Sequence, residues 1–175
     1  MELLADKKVL MIIAPVNFRD EEYQEPKRIL EHNGAKVITT SKGVGEAKGV
    51  LGLVVKVEAR LEDVKVEDYD GFIFVGGPGS ALYFNDEQIL TLVKRAAEKN
   101  KIIGGICFGS VILANAGILV GKKATVFPSK AEDLKLKGAD YLDQPVVIDG
   151  KIVTAQGPQA AQEFGRRLVE VLVKN

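Results

Sequence analysis

One segment limits the folds open to this chain more than any other: Lys101-Ile102-Ile103-Gly104-Gly105-Ile106-Cys107-Phe108-Gly109-Ser110. A short apolar run there meets a glycine-flanked turn, and a helical pattern begins directly after it. The only cysteine sits at the turn, in the Gly105-x-Cys107-x-Gly109 spacing of a nucleophile elbow. Such an elbow demands small flanking residues, because the nucleophile's backbone is strained and its neighbours pack closely. It lifts the side chain above the carboxyl edge of a parallel sheet and aims the first helical amides at whatever binds there. A thiol at a helix N-terminus is expected to ionise more readily, since the positive end of the dipole favours thiolate. The plainer alternative is an inert buried cysteine; the glycine context favours a functional Cys107.

The rest of the chain alternates strands and helices without a linker. Val9 to Ala14 is an apolar run short enough for a fully buried strand. Asp20 to Asn33 is predicted helical, with Tyr23, Ile29 and Leu30 inward and Gly34 as its stop. Lys36 to Thr40 and Phe72 to Val75 are further short strands, the latter running into Gly76-Gly77-Pro78-Gly79. Between them, from Gly43 to Ala59, glycines and alternating Leu51, Leu53, Val55 and Val57 predict an antiparallel excursion outside the main sheet. Asn85 is expected to cap a helix running to Glu98. Ile102 to Ile106 feeds the elbow, and its helix is predicted from Cys107 to Ala116, stopped by Gly117.

The last third is less regular. Ala124 to Phe127 reads as a strand and Ser129 to Lys137 as a short helix. Val146 to Thr154 is a hairpin around Asp149-Gly150. Pro158 opens the final helix, whose inner face is Phe164, Leu168 and Leu172. Repeated strand–helix units imply an α/β fold with a mostly parallel sheet covered by helices on both faces. Gly76-Gly77 and Cys107 each follow a strand, so they should share one crevice at the carboxyl edge.

Composition closes off other functions. The 24 Lys and Arg balance the 24 Asp and Glu, so no global field argues for nucleic acid or an anionic membrane. No apolar run approaches the roughly 20 residues that span a bilayer, and Met1-Glu2-Leu3-Leu4-Ala5-Asp6 does not read as a signal peptide. A lone thiol suits a reducing cytoplasm. With one His and one Cys, a structural zinc site is not expected, and Asp20-Glu21-Glu22 reads as first-turn acids, not as a metal cluster. No cofactor is expected. The 175 residues suit one domain, 1–175.

In their order, several markers resemble the DJ-one/PfpI superfamily, small flavodoxin-like proteins that include intracellular cysteine peptidases and deglycases. They are Glu22 four residues before Pro26, Gly76-Gly77, Ile106-Cys107-x-Gly109, the Asp-Gly hairpin, and Gly157-Pro158 before the last helix. The resemblance spans nearly the whole chain. It implies a doubly wound sheet, a reactive Cys107, a Glu22 carboxyl bonded to it, and oxyanion donors in the amides of Gly77 and Phe108, beside Gly76. It also implies a homodimer or higher homo-oligomer, to which the apolar excursion adds an edge in need of cover.

The departures bear on chemistry. The peptidase branch has a His directly after the Cys, where this chain has Phe108. The deglycase branch has His-Pro where this chain has Phe127-Pro128, and an Arg where it has Gln156. The only His, His32, ends the first helix, where it is expected to cap or to face solvent. Amide hydrolysis needs a base and then an acid, roles that His commonly fills. Thiolate addition to an aldehyde asks less, because one carboxyl can move the proton between adjacent carbons. Cys107 with Glu22 therefore suits a cofactor-free glyoxalase or deglycase acting on a reactive carbonyl or a carbonyl adduct on protein. The alternatives are a peptidase-like hydrolase and a non-enzymatic oxidative-stress sensor or chaperone. Phe108 and Phe127 should dry the pocket and oppose the thiolate.

Overall fold

The computed structural model describes residues 2–175; Met1 lies outside the described residues. Strands β1 (Lys8–Ile12) and β2 (Val16–Phe18) lead into helix α1 (Asp20–His32), followed by β3 (Lys36–Ser41), β4 (Glu46–Gly49), β5 (Val54–Lys56) and β6 (Ala59–Arg60). Next come β7 (Gly71–Phe74), α2 (Glu87–Glu98), β8 (Ile102–Ile106), α3 (Gly109–Asn115) and β9 (Lys123–Ala124). The chain closes with α4 (Ala131–Leu136), β10 (Asp140–Tyr141), β11 (Val146–Asp149), β12 (Ile152–Ala155) and α5 (Ala161–Val173).

The main sheet runs β11-β12-β8-β7-β1-β3-β6, all parallel except the β11 edge. Its five central parallel strands, taken in chain order, lie 2-1-3-4-5, the flavodoxin-like winding. Two adjacent glycines show the helices on opposite faces. A Cβ on Gly104 would meet Phe164 and Leu168 of α5, whereas one on Gly105 would meet Leu113 and Ser110 of α3. Successive strand residues point to opposite faces, so α5 and α3 sandwich β8. Glycine at both positions lets the two helices approach the strand closely. Phe164, Leu168 and Leu172 are buried as the helical spacing predicts.

The structure departs from the sequence expectations in detail. The excursion is a three-stranded sheet, β2-β4-β5, in which β4 pairs antiparallel with β5 but parallel with β2. Its third strand, Val16–Phe18, is too short for an alternation to register. Ala59 belongs to the main sheet through β6. Asp86, not Asn85, caps α2, its carboxylate accepting from the Ile89 amide at 3.1 Å. β9 ends at Ala124, short of the predicted Phe127, and pairs with β10 in a separate two-stranded ribbon. The last hairpin turns on Gly150-Lys151, with Asp149 paired opposite Ile152 and accepting from the Lys123 amide instead.

Candidate active site

The elbow after β8 holds Cys107 at φ 59°, a left-handed conformation that costs a non-glycine residue about 1–3 kcal/mol. The Cys107 amide donates to Ala155 O at 2.8 Å, tying the turn to β12. Ser110 Oγ donates to Gly105 O at 3.1 Å and closes it from the helix side. A Cβ on Gly109 would sit 2.1 Å from Phe74 O, so the turn can press against β7 only with glycine there. The helix starts at Gly109, two residues later than predicted, because Cys107 and Phe108 form the turn itself.

Three adjacent acids at the start of α1 meet three fates. Asp20 accepts from the Leu51 and Leu53 amides at 2.7 and 3.1 Å, pinning the excursion's turn to the helix. Glu21 clamps the Arg19 guanidinium with both oxygens, at 2.7 and 3.2 Å. Glu22 turns inward and is fully buried. The 100° rotation per helical residue sends each carboxylate a different way. Among the described residues no group of three or more His, Cys, Asp or Glu could hold a metal ion.

Glu22 and Cys107 converge on Gly76. A Cβ there would lie 2.6 Å from Glu22 Oε1 and 2.7 Å from the Cys107 Cβ, so the site exists only because residue 76 has no side chain. Gly77 is at φ 95°, with no room for a Cβ beside the Arg19 amide, and its own amide and that of Phe108 face the sulfur. Neither Glu22 carboxyl oxygen meets full hydrogen-bond geometry with any partner. The thiol, Arg19 and the Gly76 amide stand near enough to favour its ionised form, but burial outweighs them and pushes Glu22 up to about 8. Glu22 therefore keeps its proton at neutral pH. Burial, and then the charge Glu22 takes on once ionised, push the Cys107 thiol up to about 12, against the Gly77 and Phe108 amides. Burial opposes the thiolate-favouring effect expected of the helix: Cys107 is only 7% exposed, and desolvation is the largest influence on its thiol.

Aromatic rings cluster beside the elbow. Phe108 and Phe127 meet edge to face at 5.7 Å, and Phe84 adds a third ring 6.2 Å from Phe108. Phe84 escaped the sequence reading, as did Lys130, whose ammonium stands over Phe84 and Phe108. Nothing local marks either residue; a turn after β7 carries Phe84 in, and Asn115 of α3 donates to its carbonyl at 2.8 Å. Beyond Phe127 a 570 Å³ cleft is lined by Pro128, Pro145, Gln156, Gly157 and Gln159. At Gly157 a Cβ would lie 3.5 Å from Phe127 and 3.9 Å from Glu22 Oε2, so this glycine separates the cleft from the buried carboxyl, which does not line it. A larger hollow of 640 Å³ lies between α1 and β5, lined by Tyr23, Lys27, exposed His32 and Lys56. It holds no thiol, and His32 stays apart from Cys107, so no Cys–His pair forms.

The profile of the DJ-1/PfpI family matches residues 7–171. The chain belongs to the DJ-1/PfpI family. An uncharacterized protein of Methanocaldococcus jannaschii is 45% identical over 99% of this chain and 86% of its own length. A Pyrococcus horikoshii protein named a deglycase is 30% identical, over 94% and 99%. The crystal structure of a ThiJ/PfpI domain protein from Brachyspira murdochii superposes with a TM-score of 0.94 at 33% identity, covering 96% of this chain and 97% of that one. No helix among the described residues is long and apolar enough to cross a membrane.

Proposed function

We propose that this DJ-1/PfpI protein is a cofactor-free, cysteine-dependent enzyme that converts reactive 2-oxoaldehydes to 2-hydroxy acids. The observation that carries the reading is a buried, protonated Glu22 beside Cys107 and two amides, with no histidine in reach. The relative named a deglycase supports carbonyl chemistry in the family. In the first step the sulfur bonds to the aldehyde carbon and the carbonyl π pair moves to oxygen, held by the Gly77 and Phe108 amides. Glu22 gives its proton to that oxygen and takes the thiol's, so a hemithioacetal forms without net charge. One oxygen of Glu22 then gives its proton to the neighbouring carbonyl oxygen while the other takes the proton of the sulfur-bearing carbon, forming an enediol; a second exchange takes the hydroxyl proton beside sulfur and protonates the neighbouring carbon, leaving a thioester. One carbon is oxidised and the other reduced, so no outside redox partner is needed. Water cleaves the resulting thioester, releasing hydroxy acid and restoring the thiol.

Peptide hydrolysis is the weaker reading, because a single carboxyl with Phe108 in the His position must serve as both base and acid. A redox-responsive role without turnover is favoured by one feature: the unpartnered, protonated Glu22 carboxyl, whose O–H is free to donate to an oxygen on an oxidised sulfur. Product decides among them. Methylglyoxal should yield lactate over many turnovers with the wild type and none with Cys107→Ala. Lactate at the Cys107→Ala level refutes the carbonyl reading, since any thiol can trap an aldehyde once. We further infer a cytoplasmic homodimer with the excursion in its contact, where Leu51 and Val54 are 63% and 57% exposed. A monomer in light scattering at micromolar concentration refutes that assembly.

A further inference from the structure

The rim of the site carries a charge that the reaction above leaves unused. Lys130 Nζ lies 5.6 Å from the Phe108 ring centroid and 6.0 Å from that of Phe84. Both distances are near the outer limit of cation–π attraction, where the hold is weak. Among the described residues its one carboxylate partner is Asp133, 3.6 Å away and part-exposed; such a pair contributes little. Neighbouring Glu132 is occupied by Lys135 at 3.0 Å. The Lys130 amide donates to Phe127 O at 2.8 Å, which anchors the base of the side chain to the rim itself. Arg19, the cation near Glu22, is already held by both oxygens of Glu21. Lys130 is thus a positioned, weakly paired cation above an aromatic wall.

We propose that Lys130 determines specificity by binding a carboxylate on the substrate, so that the site prefers 2-oxoaldehydes with an aromatic body and an anionic far end. The inference rests on the carbonyl reading and adds the substrate class to it. With the aldehyde at Cys107, the body of the substrate lies against Phe108 and Phe127, as offset or edge-to-face rings prefer. The far end then reaches the ammonium standing over Phe108. One ammonium matches one carboxylate, whereas a phosphate dianion calls for more donors than this rim supplies.

The test is a matched pair, phenylglyoxal and 4-carboxyphenylglyoxal, followed by mandelate formation with wild type, Lys130→Met and Lys130→Arg. The wild type should favour the carboxylated substrate in kcat/KM by on the order of tenfold, the effect of one charge-assisted contact. The preference should reside in KM, vanish in Lys130→Met and return in Lys130→Arg. A substrate ratio identical in wild type and Lys130→Met overturns the proposal. If no variant turns over either compound, the carbonyl reading falls by itself, and the subsite is tested by binding. Protection of Cys107 from iodoacetamide is then compared for 4-formylbenzoate and benzaldehyde. Protection that is stronger with the carboxylate and lost in Lys130→Met upholds the subsite; equal protection by both overturns it.

Discussion

The floor and the rim of the candidate site are built by different means. At the floor, backbone sterics decide: side chains at Gly76, Gly77 or Gly109 would overlap Glu22 Oε1, the Arg19 amide or Phe74 O, each closer than 3.0 Å. At the rim, side chains decide: Phe127 is 38% exposed, Phe108 is half-buried, and Lys130 is held by weak contacts. In the reaction proposed above the floor carries the reacting groups, and it tolerates almost nothing. The rim is the part that would meet the body of the substrate, and it can change without endangering the fold. Chemistry and selectivity can therefore vary separately in this architecture.

The sharpest test of the floor is its buried carboxyl. The pKa of Glu22 is raised from the ordinary 4.5 to about 8 in the folded protein. Its contribution to stability is then fully present below about pH 4.5 and lost as pH rises through about 8, because the unfolded chain gives up the proton first. Glu22→Gln removes that loss, so its advantage over wild type should grow by on the order of 4 kcal/mol between pH 5 and 9. Urea unfolding at both pH values measures it. Parallel pH profiles for the two proteins would mean that the carboxyl is not neutral in the native state.

Next in size is Gly109→Ala, whose added methyl would press on a β7 carbonyl that the sheet holds in place. A loss of about 3 kcal/mol or failure to fold is expected. Phe127→Ala, at the rim, should cost about 1 kcal/mol because much of the ring is already in water. Unfolding midpoints compare the two directly, and the contrast between floor and rim breaks if Phe127→Ala costs more.

The smallest effect is on thiol reactivity. Alkylation of Cys107 by iodoacetamide should have its pH midpoint above the roughly 8.5 of a free cysteine, since burial raises it. Glu22→Gln should lower that midpoint, because ionised Glu22 otherwise opposes the thiolate. A wild-type midpoint below 8.5 would show that the helix amides outweigh desolvation at the floor.

The chain's own pattern determined the layered sheet, the elbow at Cys107 and the inner faces of α1 and α5, since each rests on local periodicity or on glycine spacing. Resemblance singled out Glu22 from its acidic neighbours; periodicity alone could not, because the burial of one carboxylate among three depends on what packs against α1. Strand β2 and the Phe84–Lys130 rim lay out of reach for a related reason: three residues make no alternation, and the rim joins segments over 20 residues apart. The direction of the Cys107 shift was decided by tertiary structure too. A helix N-terminus can be read along the chain, but the desolvation that opposes it comes from side chains and strands brought together only by folding.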